Sequence, residues 1–363
     1  MGPFILRRLI SGVLVIIALT LTTYVVVTEI PQNRACSVIA CTASTTDAEK
    51  KAALHQAGLD RPVLAQYGDF LWNLVRHGSL GRSSDGTQPL NPTIEAAIPP
   101  TAWLVAGGMG LMFLLTVPLA AIAASFPRSP ADRGALSFSL IGLAVHPFVL
   151  GIGLQQAASH LGLPATGYCP LTSKAAPTAT VPGLPIPLGR GAPVPCGGAA
   201  SWASHMIVPW IVFALFFTPL YLRMIRTRLL VTLGEQYIIT ARAKGATERR
   251  VVIRHALRNA FGPLLPMIAL DAGTALTAAI YIETVFARPG LGHLAVIGLS
   301  GEFFMGHYDV HYITAIVFTI GLFVVALSIA ADVASAWLDP RVRARNQRAL
   351  ITLPRVLRRG AVA

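Results

Sequence analysis

Six apolar runs, each long enough to cross a bilayer, decide what this chain can fold into: roughly 9–29, 101–126, 134–159, 203–222, 260–285 and 310–337 of 363 residues. A helix rises about 1.5 Å per residue, so some 20 apolar residues cross a hydrocarbon core of about 30 Å. None of the runs alternates with the period of a strand. Backbone polar groups in lipid must pair within their own segment, so all six are expected to be helices. The residues predict an all-α integral membrane protein with six transmembrane helices. Only 12% of the residues are charged, about half the proportion of a soluble domain.

The 29 Lys and Arg set the orientation. With the N-terminus inside, Arg7, Arg8, Arg128, Arg133, nine residues from Arg223 to Arg258 and seven from Arg341 to Arg359 face the cytoplasm. Only nine fall in the much longer outer segments. Cytoplasmic loops carry the positive excess, so both termini are expected on the cytoplasmic side of an inner membrane. This topology accounts for the net charge of +13 without a nucleic-acid partner, whose binding module is not evident. The partner of the apolar runs is membrane lipid.

The expected organisation is a first transmembrane helix at 1–30, retained rather than cleaved as a signal peptide, and an extracytoplasmic loop at 31–100. A transmembrane domain follows at 101–338, with an outer insertion at 160–202 and a cytoplasmic segment at 235–262. A basic cytoplasmic tail occupies 339–363. Within the first loop, 47–59 and 62–77 read as helices, the second amphipathic. Pro89, Pro92, Pro99 and Pro100 are expected to break structure before the second span. In that span Gly107, Gly108 and Gly110 allow close helix approach, and Pro118 permits a kink.

One polar, basic stretch lies between two of the runs: EQYIITARAKGATERRVVIRHALRNAFGPLLP, at 235–266. Its first part reads as a helix with Tyr237, Ile238 and Ala241 on one side, stopped by Gly245. Thr247 is the expected N-cap of a second helix, with Glu248 in its first turn. The pattern is a short helix, a glycine turn and another short helix on a membrane surface.

Cys36, Cys41, Cys169 and Cys196 all fall in outer loops, where disulfides form. Four cysteines permit three pairings, of which Cys36 with Cys41 and Cys169 with Cys196 is the most local. His146 stands in mid-span before Pro147, without a nearby acid or second His to make a relay or metal site. Asp271 lies inside the fifth run, where an unpaired carboxylate costs about 2.5–3.5 kcal/mol, so it is expected to face water or a partner. Asp332 and Asp339 are expected near the terminal arginines.

The stretch LGEQYIITARAKGATERRVVIRHALRNA resembles the coupling loop of binding-protein-dependent ABC importers, in the wording of the dipeptide/oligopeptide/nickel permease family. FILRRLI, LDRPVLAQY, GSLGRS, PTIEAAIPPTAWL, ETVFARPGLG and DPRVR extend the resemblance over most of the chain, in the order of its B-type subunit. The 165–200 insertion has no counterpart in it. The resemblance implies a type I importer permease with cytoplasmic coupling helices, built from Glu235, Tyr237, Ala241, Arg242, Ala243, Lys244 and Gly245. It implies a second, C-type permease, two cytoplasmic ATPase domains and an extracytoplasmic substrate-binding protein as partners. Asp271 and Glu283 are then the acids placed to meet a cationic group in the pathway or at its gate. Nickel complexes or another small solute are alternative cargo to peptides.

The chain contains no GxxxxGK[ST] segment, so ATP hydrolysis is expected on partner subunits, with no cofactor or metal held here. An intramembrane enzyme would need a nucleophile with its base, or paired aspartates, at helical spacing. His146 has no GxSG serine, and Asp271 with Asp332 lacks the local signature of an aspartyl protease. A secondary transporter would show inverted repeats or interrupted helices, and neither is evident in the sequence.

Overall fold

The computed structural model describes residues 2–29, 45–56, 58, 60–83, 89–164, 166–169, 198–261, 264–300 and 308–338. Its first elements are α1 (Gly2–Glu29), α2 (Asp47–Gln56), α3 (Val63–His77), α4 (Leu90–Ser125), α5 (Pro130–Ala144) and α6 (Pro147–His160). Then come α7 (Ala199–Leu233), α8 (Gln236–Ala243), α9 (Glu248–Arg250), a π-helical turn (Val251–Leu257) and α10 (Arg258–Phe261). The last are α11 (Leu265–Leu270), α12 (Ala272–Val285), α13 (Leu291–Ser300) and α14 (Val310–Leu338). Among the described residues the one strand-like pairing is an isolated bridge between Arg82 and Pro89.

By length and apolar composition α1, α4, α7 and α14 can each cross a membrane. Helices α5 and α6 meet at a bend of 103° and count as a fifth span if the pair is taken together. The expectation of six continuous helices is corrected at two runs. In the third, Val145 and His146 are extended; proline disfavours the helical region for the residue before it, and Pro147 starts a new helix. In the fifth, the helix turns at Asp271 (ψ −2°) between α11 and α12.

Of the four prolines expected to break structure, only Pro89 stands at a boundary. Pro89 is the N-cap of α4, and the helix runs through Pro92, Pro99, Pro100 and Pro118. Pro92 sits in the first turn, where an N–H has no intrahelical acceptor to lose. Helix α4 therefore begins eleven residues before the apolar run, and Leu90, Ile94 and Ala97 of that extension are buried against Leu291, Leu294 and Tyr312.

The core is the contact of α4 with α7. A Cβ on Gly107 would stand 2.1 Å from the Trp210 ring, and one on Gly108 would stand 2.6 Å from Phe213. Only glycine lets the two helices approach so closely. Gly110 faces open space instead. Around this core, α1 packs on α14, where Arg8 pairs with Asp332 at 2.8 Å. Asp339 lies outside the described residues.

Helix α3 confirms the amphipathic pattern and uses it against α1. Tyr67 shares a hydrogen bond with Thr20 at 2.8 Å and Tyr24 donates to Gln66 at 3.0 Å, while Phe70 joins Val310 and Ile313 in a small separate core.

Candidate functional site

The polar segment between α7 and α10 is anchored from below and open above. Helix α8 begins after Glu235, whose extended backbone (ψ 148°) holds the N-cap position. Ile238 is fully buried, and Val251, Val252 and Ala256 of the π turn join it beneath the segment. Glu235, Tyr237, Arg242, Ala243, Lys244 and Gly245 are exposed, and Ala241 is half-buried. Tyr237 is not on the buried side with Ile238; its hydroxyl accepts a hydrogen bond from Asn259 of α10 at 3.0 Å.

Gly245 ends the helix at φ +81°, a backbone that L side chains rarely adopt. Its N–H reaches the Arg242 carbonyl at 2.9 Å, and the Ala246 N–H reaches that of Ala241 at 3.2 Å, which closes the helix end. Thr247 occupies the N-cap position of α9, but its side chain makes no capping bond. Glu248 reaches back to Arg242 instead, Nε to Oε1 at 2.7 Å and Nη2 to Oε2 at 3.2 Å. The Arg242 guanidinium holds the Glu248 carboxyl below its ordinary range, chiefly by that hydrogen bond. The result is a basic helix-turn-helix on a buried foot.

The two intramembrane acids differ in kind. Asp271, half-buried at the turn between α11 and α12, accepts the Tyr221 hydroxyl at 2.7 Å. It borders a small cavity with Met109, Met112, Phe213, Phe217 and Ala275. Glu283 has no exposed surface. Its Oε1 accepts from Thr101 at 2.6 Å, and its Oε2 accepts from the N–H groups of Gly292 at 2.8 Å and His293 at 3.1 Å. The Thr101 hydroxyl also accepts from the Leu291 N–H at 2.9 Å. Glu283 thus clamps the start of α13 to α4 and α12, placing a carboxyl group at a helix N-terminus.

Residue-by-residue reading of the sequence missed Thr101 and Arg288, both inside stretches that carry the resemblance. Arg288 is fully buried, with Nη1 donating to the His205 carbonyl at 3.1 Å and the guanidinium 4.9 Å from the Tyr168 ring centre. Next to Tyr168, Cys169 is buried and disulfide-bonded. Cys36, Cys41 and Cys196 lie outside the described residues. His146 caps α6 by accepting from the Phe148 N–H at 3.3 Å. Among the described residues no group of three or more His, Cys, Asp or Glu is arranged to hold a metal ion.

A bundle of apolar spans carrying an exposed basic helix-turn-helix on one surface defines a multi-pass membrane protein. The comparisons then place the chain. Residues 116–344 match the binding-protein-dependent transport system inner membrane component family, and residues 1–92 match the N-terminal part of such membrane components. The chain belongs to this family of ABC-importer inner membrane components.

It is 30% identical to the dipeptide transport system permease protein DppB of Escherichia coli K12, over 94% of this chain and 99% of that protein. The same identity and coverage relate it to a Brucella abortus (strain 2308) protein named as a peptide transport system permease. Membership makes the chain a non-catalytic membrane subunit whose importer includes a substrate-binding protein and ATPase partners.

Proposed function

We propose that this chain is the transmembrane permease subunit of an ATP-driven peptide importer, forming half of the translocation pathway. The family fit and the relatives named for peptide and dipeptide transport support the substrate class. The observation that carries the mechanism is the exposed helix-turn-helix over Ile238, Val251 and Ala256. A stiff element rooted in the bundle transmits a rigid-body push, which a loose loop would absorb.

In this reading Glu235, Tyr237, Ala241, Arg242, Ala243, Lys244 and Gly245 seat in a groove of a cytoplasmic ATPase. Two ATPase domains drive the complex, a second permease of C type completes the pathway, and an extracytoplasmic binding protein delivers the peptide. Both termini then face the cytoplasm, the side of the coupling segment and the basic tail at 339–363. Cys169 pairs with one of Cys36, Cys41 and Cys196, of which Cys196 is the most local in sequence. Asp271 borders the pathway, and Glu283 anchors its outer gate.

The test is uptake of radiolabelled alanyl-alanine into proteoliposomes that hold both permeases, the ATPases and the binding protein. Uptake should require ATP and each component. Uptake that persists without the ATPases contradicts the reading.

A further inference from the structure

The spans expose two kinds of face. On α1 the exposed face is mainly aliphatic, with Leu9, Ile10, Val13, Leu14, Val25 and Val26, and the exposed Thr22 returns its hydroxyl to the Ala18 carbonyl at 2.8 Å. On α11 and α12 the exposed line runs through Leu270, 81% exposed, to Thr274 and Thr277, with Asp271 and Tyr281 half-buried along it. Steps of three or four residues put these positions on one side of a helix. From Asp271 to Tyr281 the line covers about 15 Å, half of a hydrocarbon core.

At its far end exposed His146 stands edge-on to Tyr281 with ring centres 4.7 Å apart, and Phe148 lies 6.5 Å from the same ring. The Thr277 hydroxyl donates to the Gly273 carbonyl at 3.0 Å, so it tolerates lipid as well as water. The carboxylate and the imidazole do not share that tolerance. Among the described residues no cation pairs with Asp271, whose hydrogen-bond partner is Tyr221. Both groups also sit where a span is broken, at the α5–α6 bend and at the α11–α12 turn. Irregular backbone at membrane depth is tolerated where it is buried in protein or lines a water-filled cavity.

We infer that Asp271, Thr274, Thr277 and Tyr281, with His146 opposite, line a water-filled solute pathway, and that Asp271 selects for solutes carrying a positive charge. The inference rests on the importer reading in naming the solute, a peptide with a free ammonium group. The uniform charge of a single fixed carboxylate would favour a passing cation over an anion of the same size.

The test places Thr274→Cys, Thr277→Cys and Tyr281→Cys singly in the complete importer in liposomes, with Val26→Cys as the lipid-facing control. The unsubstituted protein, with its own cysteines, supplies the background. Each is treated with a cationic methanethiosulfonate, the ethyltrimethylammonium reagent, and with the anionic ethylsulfonate reagent. The pathway positions should react with both, the cationic reagent faster, while Val26→Cys stays silent. Asp271→Asn should lower the cationic-to-anionic rate ratio at Thr274→Cys by about tenfold, as expected for a unit charge one helical turn away in a wet site. A variant that fails to assemble leaves the other two positions to report the same result.

Reaction only with membrane-permeant N-ethylmaleimide, or with nothing, puts this face against lipid or the second permease and overturns the inference. A ratio unchanged by Asp271→Asn overturns the selectivity. ATP-driven uptake of alanyl-alanine is measured on the same vesicles. Its absence in the unsubstituted importer counts against the importer reading, whereas missing modification with uptake intact counts against the pathway alone.

Discussion

Arg242 and Glu248 grip each other across the Gly245 turn by two hydrogen bonds, at 2.7 Å and 3.2 Å. Two short helices that would otherwise pivot about a glycine are thereby stapled at a fixed angle. Both side chains are open to solvent, so the staple is a geometric device and not a large source of stability.

The staple titrates. Glu248 has a lowered carboxyl value in the folded chain, with the Arg242 hydrogen bond as the largest cause. It contributes fully above the ordinary glutamate range and is lost as pH falls below that range through the depressed value. Amide exchange protection across 242–248 should fall at acid pH, and Glu248→Gln should show that lower protection already at neutral pH. A Gln variant with full protection at neutral pH contradicts the role given to the pair.

The Glu283 clamp predicts loss of stability from two directions. Glu283→Ala leaves the N–H groups of Gly292 and His293 without their acceptor, while the Thr101 hydroxyl keeps the Ala97 carbonyl at 3.3 Å. Each orphaned buried donor costs about 1–3 kcal/mol. Thr101→Val orphans the Leu291 N–H and should cost about 1–3 kcal/mol. Unfolding of the detergent-solubilised protein, followed by Trp fluorescence, measures both. If Glu283→Ala is as stable as the parent, the clamp is not structural.

The buried Cys169 bond predicts a defined covalent map. Mass spectrometry of non-reduced peptides should find Cys169 joined to Cys196, closing the 160–202 insertion into a loop. Reduction should then lower the unfolding temperature, since a cross-link of this kind contributes about 2–4 kcal/mol. A Cys169 peptide joined to Cys36 or Cys41 instead would overturn the pairing.

Much of this architecture was legible in the residues, because lipid permits few alternatives. The apolar runs became helices, the period of 62–77 became α3, and Gly245 stands at the positive φ its place in the segment required. The breaks were harder to read. Pro147 ends one helix and starts another, whereas Pro99 and Pro100 continue through one. What differs is the packing around each, which a local rule does not contain. Glu283 was read as an acid facing cargo because its burial depends on Gly290 and Gly292, where a Cβ would stand 2.2 Å and 2.9 Å from its carboxyl group. Thr101 lies 182 residues away in sequence, so no local spacing could join the two. Asp271 was singled out by the cost of a charge at that depth, but the helix turn that exposes it was not.

The coupling segment is the central claim, and substrate-stimulated ATP hydrolysis by the reconstituted importer tests it most directly. The comparison is between the unsubstituted chain, Gly245→Pro, and the double variant Glu235→Ala with Arg242→Ala, each first shown to assemble with its ATPases. Proline cannot adopt the φ of +81° found at Gly245, and the double variant strips both the Glu235 side chain and the staple. The account predicts that stimulation by alanyl-alanine with its binding protein disappears in both variants while basal hydrolysis and assembly persist. Stimulation equal to that of the unsubstituted chain would contradict it, and would reduce the helix-turn-helix to a basic ornament of the membrane surface.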